Sequence, residues 1–281
     1  MQLIQTMLPV IWHSTLVLGL WFVAFFVIFT VLWRLQPCNP EHSWWRKDTL
    51  TDVAYFFLMP VGTRFMRIFF VAGGVYLFLR PKSNESLVHF MQHGYGPLST
   101  LPIWLQVVIV FVLQDIILYW THRLFHQRGL WRFHAIHHSP TEVDWLSAFR
   151  FHPVNQWFTF TLVDTLMLFL GFSPDSVTMM AGVNMSYSAM VHANLNWTFG
   201  AFRYVLASPV FHRWHHTAQE EGLDKNFAPT FPFLDLLFGT FYMPMDRRPE
   251  HYGVAEGDVP QSFLGQMIWP FKRRRVPKSS P

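Results

Sequence analysis

Long apolar runs alternate with short polar stretches along this chain. Residues 11–33 carry no charged side chain, enough to cross a hydrocarbon core of roughly 30 Å as a tilted helix. Residues 53–79 are apolar but interrupted by MPVG at 59–62 and by Arg64 and Arg67, which predicts a broken span or a pair of short helices. PKSNESLVHFMQHGYGPLST, residues 81–100, reads as a loop from its Pro, Gly, Ser and Asn content. The next crossing, 101–121, contains one acid, Asp115. Runs at 154–171 and 176–191, separated by the turn signal FSPD, predict a membrane hairpin. The pattern implies an all-α integral membrane protein with about four transmembrane helices.

Composition points the same way. The chain is 51% hydrophobic and 18% aromatic against 14% charged, far from the balance of a soluble domain. The net charge of +4 is local rather than spread. Arg34, Arg46 and Lys47 follow the first run and place residues 34–50 in the cytoplasm. KRRR at 272–275 suits anionic headgroups or a solvated tail, and residues 272–281 read as a disordered end. Charges that flank apolar spans, instead of lining one polar face, argue against nucleic-acid binding. The N-terminus lacks a basic region before its first apolar run, so that run is expected to be an uncleaved anchor. The lone Cys38 excludes an intramolecular disulfide and a multi-cysteine metal site.

What composition does not explain is the histidines. Ten of the 15 fall between 122 and 216. His122 and His126 are spaced to share one helical face. His134, His137 and His138 are spaced i, i+3, i+4, and His212, His215 and His216 repeat that spacing. A hairpin returns the chain to the side it left, so His192 and HRWHH at 212–216 should emerge where HRLFH and HAIHH emerge. A lone histidine on an apolar face is ordinarily a core residue. Three clusters with ligand spacing at one membrane face are instead a metal centre, a histidine-rich cap on the cytoplasmic side.

Eight clustered histidines, nine with His192, exceed the three or four protein ligands of a single zinc site and imply two metals. Imidazole suits iron, zinc and copper alike, so spacing does not name the metal. HRLFH has no glutamate beside its first histidine, which removes the HExxH logic of a zinc peptidase. No Glu-x-x-His pairs accompany the clusters, which removes the carboxylate-bridged di-iron bundle. Asp115, two helical turns before His122, is expected to accept a hydrogen bond from a ligand imidazole; pairing with Arg64 or Arg67 is the alternative. Asn194 and Asn196 are placed to support the site in the same way.

HRLFH, HAIHH and HRWHH, in that order and with an apolar hairpin between the second and third, resemble the HxxxH, HxxHH and HxxHH signature of the fatty acid hydroxylase/sterol desaturase superfamily. These are integral-membrane, non-haem di-iron oxygenases, and the likeness runs from about Asp115 to Phe241. It implies that His122, His126, His134, His137, His138, His212, His215 and His216 bind two irons. His192, in VHANLNW, fits a further ligand position. His152, in FRFHPV, stands where members often carry His-Pro and is placed behind the ligands rather than among them. The corresponding division is an N-terminal membrane anchor region at 1–100, a catalytic domain at 101–245 and a C-terminal extension with a basic tail at 246–281.

The resemblance further implies dioxygen-dependent hydroxylation, or less readily desaturation, of a fatty acyl, sterol or related lipid drawn from the bilayer. Some members carry a fused haem domain. This chain has no room for one, so a separate ferredoxin or small cytochrome would supply electrons that originate in a reduced nicotinamide. The basic tail could dock an acidic donor, though headgroups account for it equally well. A membrane metal transporter is the competing class, but it would spread ionisable side chains through its spans, and here they crowd at span ends. A membrane zinc hydrolase lacks its base motif.

Overall fold

A computed structural model describes residues 2–272 other than 44, 81, 82, 128 and 255–258. Beyond Lys272 the basic tail lies outside the described residues. The chain begins with two long helices, α1 (Gln2–Leu35) and α2 (Thr49–Leu79). The expected break in α2 does not occur. Pro60 sits inside one helix of 31 residues, and the Thr63 hydroxyl one turn on donates to the Met59 carbonyl at 2.8 Å. The two arginines that suggested an interruption are both engaged: Arg64 donates to Ser14 on α1 at 2.9 Å, and Arg67 Nε to Asp164 at 2.7 Å.

The stretch expected to be a loop instead forms α3 (Asn84–His93) and the single turn α4 (Gly96–Ser99). Ser83 and Ser86 close a capping box that starts α3, a local signal that outweighs the polar composition. Next come α5 (Ile103–Phe125) and the short α6 (Trp131–His138). The expected hairpin is α7 (Pro153–Phe169) and α8 (Pro174–His192), each opened by a proline in its first turn. Its turn needs Gly171: φ is +97°, and a Cβ there would lie 2.4 Å from the Tyr95 carbonyl oxygen. Three further short helices follow, α9 (Pro209–His215), α10 (Phe233–Leu237) and α11 (Phe263–Ile268). Among the described residues there is no strand, only an isolated bridge between Thr217 and Tyr252.

Side-chain pairings fix how the long helices run. Asp52 with Arg150 and Arg67 with Asp164 align the starts of α2 and α7. Gln106 with Ser173 and Gln114 with Asn184 align α5 with α8. Asn39, just past α1, is clamped to Asn194, just past α8. The C-terminal ends of α1, α5 and α8 and the N-terminal ends of α2 and α7 therefore meet at one end of the molecule. The histidine boxes lie there.

Aromatic packing seals α1 and α2 against the segment before α7. Trp145 stacks on Phe29 with centroids 6.2 Å apart, and Phe56 meets Phe149 edge-on at 4.7 Å. Below them lies a buried ionic knot. Arg150 donates to Asp52 at 2.5 Å and Asp48 at 2.8 Å, while Arg46 reaches Asp52 and Asp144, each at 2.9 Å. Buried charges are tolerated when so fully paired.

Two helices, Trp12–Leu35 and Ile103–Phe125, are long and apolar enough to cross a membrane. Along α5 an i, i+4 row of Trp104, Val108, Val112, Ile116, Trp120 and Leu124 faces outward and is exposed. Such an apolar stripe is unusual on a soluble surface and normal against lipid.

Candidate metal centre

Four segments deliver the imidazoles, each for a local reason. His122 lies in the last turn of α5 and His126 ends that helix. His134, His137 and His138 occupy α6, and His192 is the last residue of α8. His212 and His215 lie on α9 and His216 ends it; Ser208 starts the helix by accepting from Phe211 N–H at 3.2 Å.

The nine imidazoles fall into two adjoining groups, five from His122, His126, His134, His138 and His215 and four from His137, His192, His212 and His216. In each HxxHH box the i, i+4 pair serves one group and the middle histidine the other. His134 and His138 belong to the five while His137 crosses over; His212 and His216 belong to the four while His215 crosses over. The two boxes are thereby laced together, and His138 stacks on His216 with centroids 4.4 Å apart.

Outer hydrogen bonds settle which nitrogen faces inward. A backbone carbonyl can only accept, so the ring nitrogen beside it must carry the hydrogen. His122 Nδ1 donates to Phe227 O at 2.7 Å, His137 to Arg150 O at 3.2 Å, His192 to Ser188 O at 2.7 Å and His215 to Lys225 O at 2.7 Å. His126 Nδ1 meets the Asp224 carboxylate and His134 Nδ1 the Asn155 amide oxygen, both at 2.9 Å. In these six rings Nε2 is left with its lone pair directed into the cluster.

That arrangement fits a cation and little else. With both hydrogens on Nδ1, His122 and His134 point Nε2 lone pairs at each other across 3.0 Å, and His137 and His192 do so across 3.2 Å. Facing lone pairs repel unless a positive ion lies between them. The spacing itself is apt, because two metal–nitrogen bonds of about 2.1 Å at a right angle set their nitrogens about 3.0 Å apart. His126 Nε2 and His215 Nε2 are buried with no hydrogen-bond partner, as ligand atoms would be before a metal binds.

Burial also keeps the rings neutral, which ligation requires. Desolvation, then the charge each neighbouring ring would add, holds His134, His137, His138, His212, His215 and His216 well below the ordinary imidazole range. Desolvation lowers His126 as well, against the pull of Asp224.

All nine sequence-expected histidines are brought together; the four supporting residues are not. Asp115 accepts from Phe231 N–H at 3.0 Å and touches neither an imidazole nor Arg64 or Arg67. Two helical turns carry it about 10 Å along the axis, level with a loop rather than with the rings. His152 caps α7, accepting from Val154 N–H at 3.1 Å, and its Nε2 meets the Met267 carbonyl. Asn196 accepts from Arg248 Nε at 2.6 Å near the surface, and Asn194 holds Asn39.

Sequence reasoning missed what orients the imidazole rings. Asn155, an amide in the first turn of an apolar helix, was the visible clue. The carbonyls of Lys225, Phe227 and Arg150 carry no side-chain signal. The loop presenting two of them is held by the buried Asp235, which accepts from Phe227 N–H at 2.8 Å, Ala228 N–H at 2.9 Å and the Thr240 hydroxyl at 2.6 Å. Arg213, inside HRWHH, is also buried; it donates to Val143 O at 2.6 Å and lies 4.7 Å from the Tyr252 ring centroid.

Comparison with known proteins bears on this geometry. Residues 107–240 match the fatty acid hydroxylase family, a stretch that contains all nine histidines. The chain is 28% identical to the ornithine lipid hydroxylase OlsE of Rhizobium tropici over 91% of its own length and 77% of that protein. It is 28% identical to the alkylglycerol monooxygenase of Homo sapiens over 44% of its length, but spans only 27% of that relative. With methylsterol monooxygenase 2-2 of Arabidopsis thaliana it shares 26% identity over 54% of its length and 59% of the relative's. No solved structure matches the chain.

Proposed function

We propose that this chain, whose residues 107–240 match the fatty acid hydroxylase family, is a membrane-bound di-iron oxygenase that hydroxylates a C–H bond of a bilayer lipid. The observation that carries the reading is the pair of adjoining imidazole groups, five and four, whose inward lone pairs call for two cations. Iron bound there would supply the redox chemistry by which dioxygen, two electrons and two protons turn C–H into C–OH and release water. Hydroxylation is favoured over desaturation because the similar proteins are named hydroxylases and monooxygenases.

The protein's own part is to hold, orient and dry the site. His122, His126, His134, His138 and His215 would hold one iron and His137, His192, His212 and His216 the other. The carbonyls of Phe227, Lys225, Ser188 and Arg150, with Asn155 and Asp224, fix the ring planes. Phe151 lies flat on His137 at 4.0 Å, and Phe227 borders His122, His126 and His215, which keeps water from the rings. Residues 101–245 form the catalytic domain, with 1–100 as anchor and 246–281 as extension.

In this reading α1, α2, α5 and the α7–α8 hairpin lie in the bilayer, and the metal end faces the cytoplasm, where Arg34, Arg46 and Lys47 also lie. An apolar groove between α1 and α8, lined by Trp21, Val183, Tyr187 and Met190, ends two residues short of His192. It would give a lipid chain an apolar surface along α8, the helix that ends in His192. A separate one-electron carrier, a ferredoxin or small cytochrome fed by reduced nicotinamide, completes the cycle.

The test is metal content and lipid product together. Purified protein should carry about two irons per chain and convert bilayer lipid only with dioxygen and reductant, and His137→Ala and His215→Ala should each abolish conversion. Zinc alone in protein made with ample iron, with no oxygen-dependent product, would refute it.

A further inference from the structure

The segment that follows HRWHH descends alongside α5 and climbs back. Phe227 lies level with the last turn of that helix, its ring 5.8 Å from His122 and 5.0 Å from His126 between centroids. Four residues on, Phe231 N–H donates to Asp115 at 3.0 Å and the Phe231 ring meets Phe111 at 5.1 Å. On the return, Phe238 meets Trp120 at 4.8 Å, and the Thr240 and Tyr119 hydroxyls pair at 2.9 Å. Asp115 stands one residue past the midpoint of α5 and ten residues before its end at Phe125, about 15 Å along the axis. That is about half the thickness of a hydrocarbon core. Where α5 crosses a bilayer, the tip of this turn reaches the midplane.

Its side chains are sorted for lipid. Between Lys225 and Asp246 the only charged residue is Asp235, and Asp235 is buried. Thr230 and Thr240 are buried as well, while Phe233, Leu236, Leu237 and Phe238 are exposed, Leu237 by 71%. Trp120 belongs to the exposed apolar row of α5 and touches Phe238, so the two faces form one apolar surface. A loop in water seldom exposes four large apolar side chains and no charge.

Irregular backbone survives at that depth only when its polar groups are satisfied. Pro229 and Pro232 have no N–H to satisfy. The Phe227 and Ala228 N–H groups go to Asp235 and that of Phe231 to Asp115. Those of Leu234, Leu236 and Phe238 go to carbonyls within the turn, and the Thr230 carbonyl accepts from Ala207 N–H at 2.8 Å. Asp115, which touches no imidazole, thereby has a role: it pins the tip. We propose that residues 226–242 form a re-entrant segment immersed in the cytoplasmic leaflet, with α10 lying against the acyl chains of bilayer lipids. The membrane then braces the limb whose Phe227 carbonyl orients His122. This rests on reading α5 as a membrane span, and not on the oxygenase chemistry.

Fluorescence quenching of the full-length protein in phosphatidylcholine nanodiscs tests it, with single introduced cysteines carrying a nitrobenzoxadiazole label. Cys38 is the chain's only cysteine and is buried, so wild type serves as the labelling blank. Nitroxides on lipid acyl chains should quench Leu237→Cys and Phe233→Cys, the latter more from a deep position than from a shallow one. Iodide in water should quench both about ten-fold less than it quenches Glu250→Cys, at an exposed site on the cap. Quenching of Leu237→Cys by iodide, or by neither agent as contact with a second copy of the chain would give, overturns the proposal. Val112→Cys, on the exposed row of α5, reports on the premise. If iodide reaches it, α5 does not span and the membrane reading falls together with the proposal. If lipid nitroxides quench it while Leu237→Cys answers to iodide, the re-entrant segment alone falls.

Discussion

Asp235 lies outside both histidine groups, and replacing it should release one metal and spare the other. Its carboxylate accepts from Phe227 N–H, Ala228 N–H and the Thr240 hydroxyl. In Asp235→Asn one acceptor oxygen becomes an NH2 donor, so at least one buried N–H faces another donor, at a cost of about 1–3 kcal/mol. That cost falls on the loop whose Lys225 and Phe227 carbonyls orient His215 and His122. Both rings belong to the group of five. Loss of such an outer partner lowers metal affinity by about 10–100-fold, or about 1.4–2.8 kcal/mol. Chelator titration of the iron-loaded protein, read by metal analysis, should therefore show two release steps in Asp235→Asn. The early step should be shifted about 10–100-fold and account for half the metal, while the late step stays at its wild-type position. Parallel loss of both metals, or an unshifted profile in a folded variant, would refute the idea that this loop tunes one ion independently.

Two further outcomes follow from the same structure. Because burial lowers the folded-state values of His126, His134, His137, His138, His212, His215 and His216, the metal-free protein holds their full contribution above the free value of about 6.5. It loses that contribution as pH falls below it, by up to about 1.4 kcal/mol per pH unit per ring; thermal unfolding in detergent checks this, and a flat profile between about pH 7.5 and 5.5 would contradict it. The Arg67–Asp164 pair joins α2 to α7 at 2.5 Å, so Arg67→Met or Asp164→Leu alone should destabilise by about 3 kcal/mol and the double variant by less than the sum. Strict additivity in a double-mutant cycle would show that the two charges are not coupled.

The nine histidines were legible because their chemistry shows in side-chain type and spacing. HRLFH, HAIHH, His192 and HRWHH could be read as one cluster once the hairpin was recognised. The orienting shell was illegible because most of it is backbone carbonyl, placed by a loop whose anchor, Asp235, looks like any surface acid. Asp115 misled through helical periodicity: sharing a face with His122 does not mean sharing its depth. In α2, MPVG looked like a break, yet proline removes only one helix hydrogen bond, and packing against α7 with the Arg67–Asp164 pair holds the helix together. The Ser83–Ser86 capping box marked the start of α3 in plain sight, but in serine-rich sequence it reads as loop.

In the proposed function these nine histidines hold a centre that puts an atom of dioxygen into a lipid. Protein reconstituted with membrane lipids, iron and a reduced one-electron carrier should be exposed to isotopically heavy dioxygen and its lipids weighed by mass spectrometry. Each hydroxylated lipid should carry one heavy oxygen atom, and His137→Ala should yield none. Product oxygen drawn from water, or no oxygen-dependent product from protein shown to be iron-loaded, would contradict it.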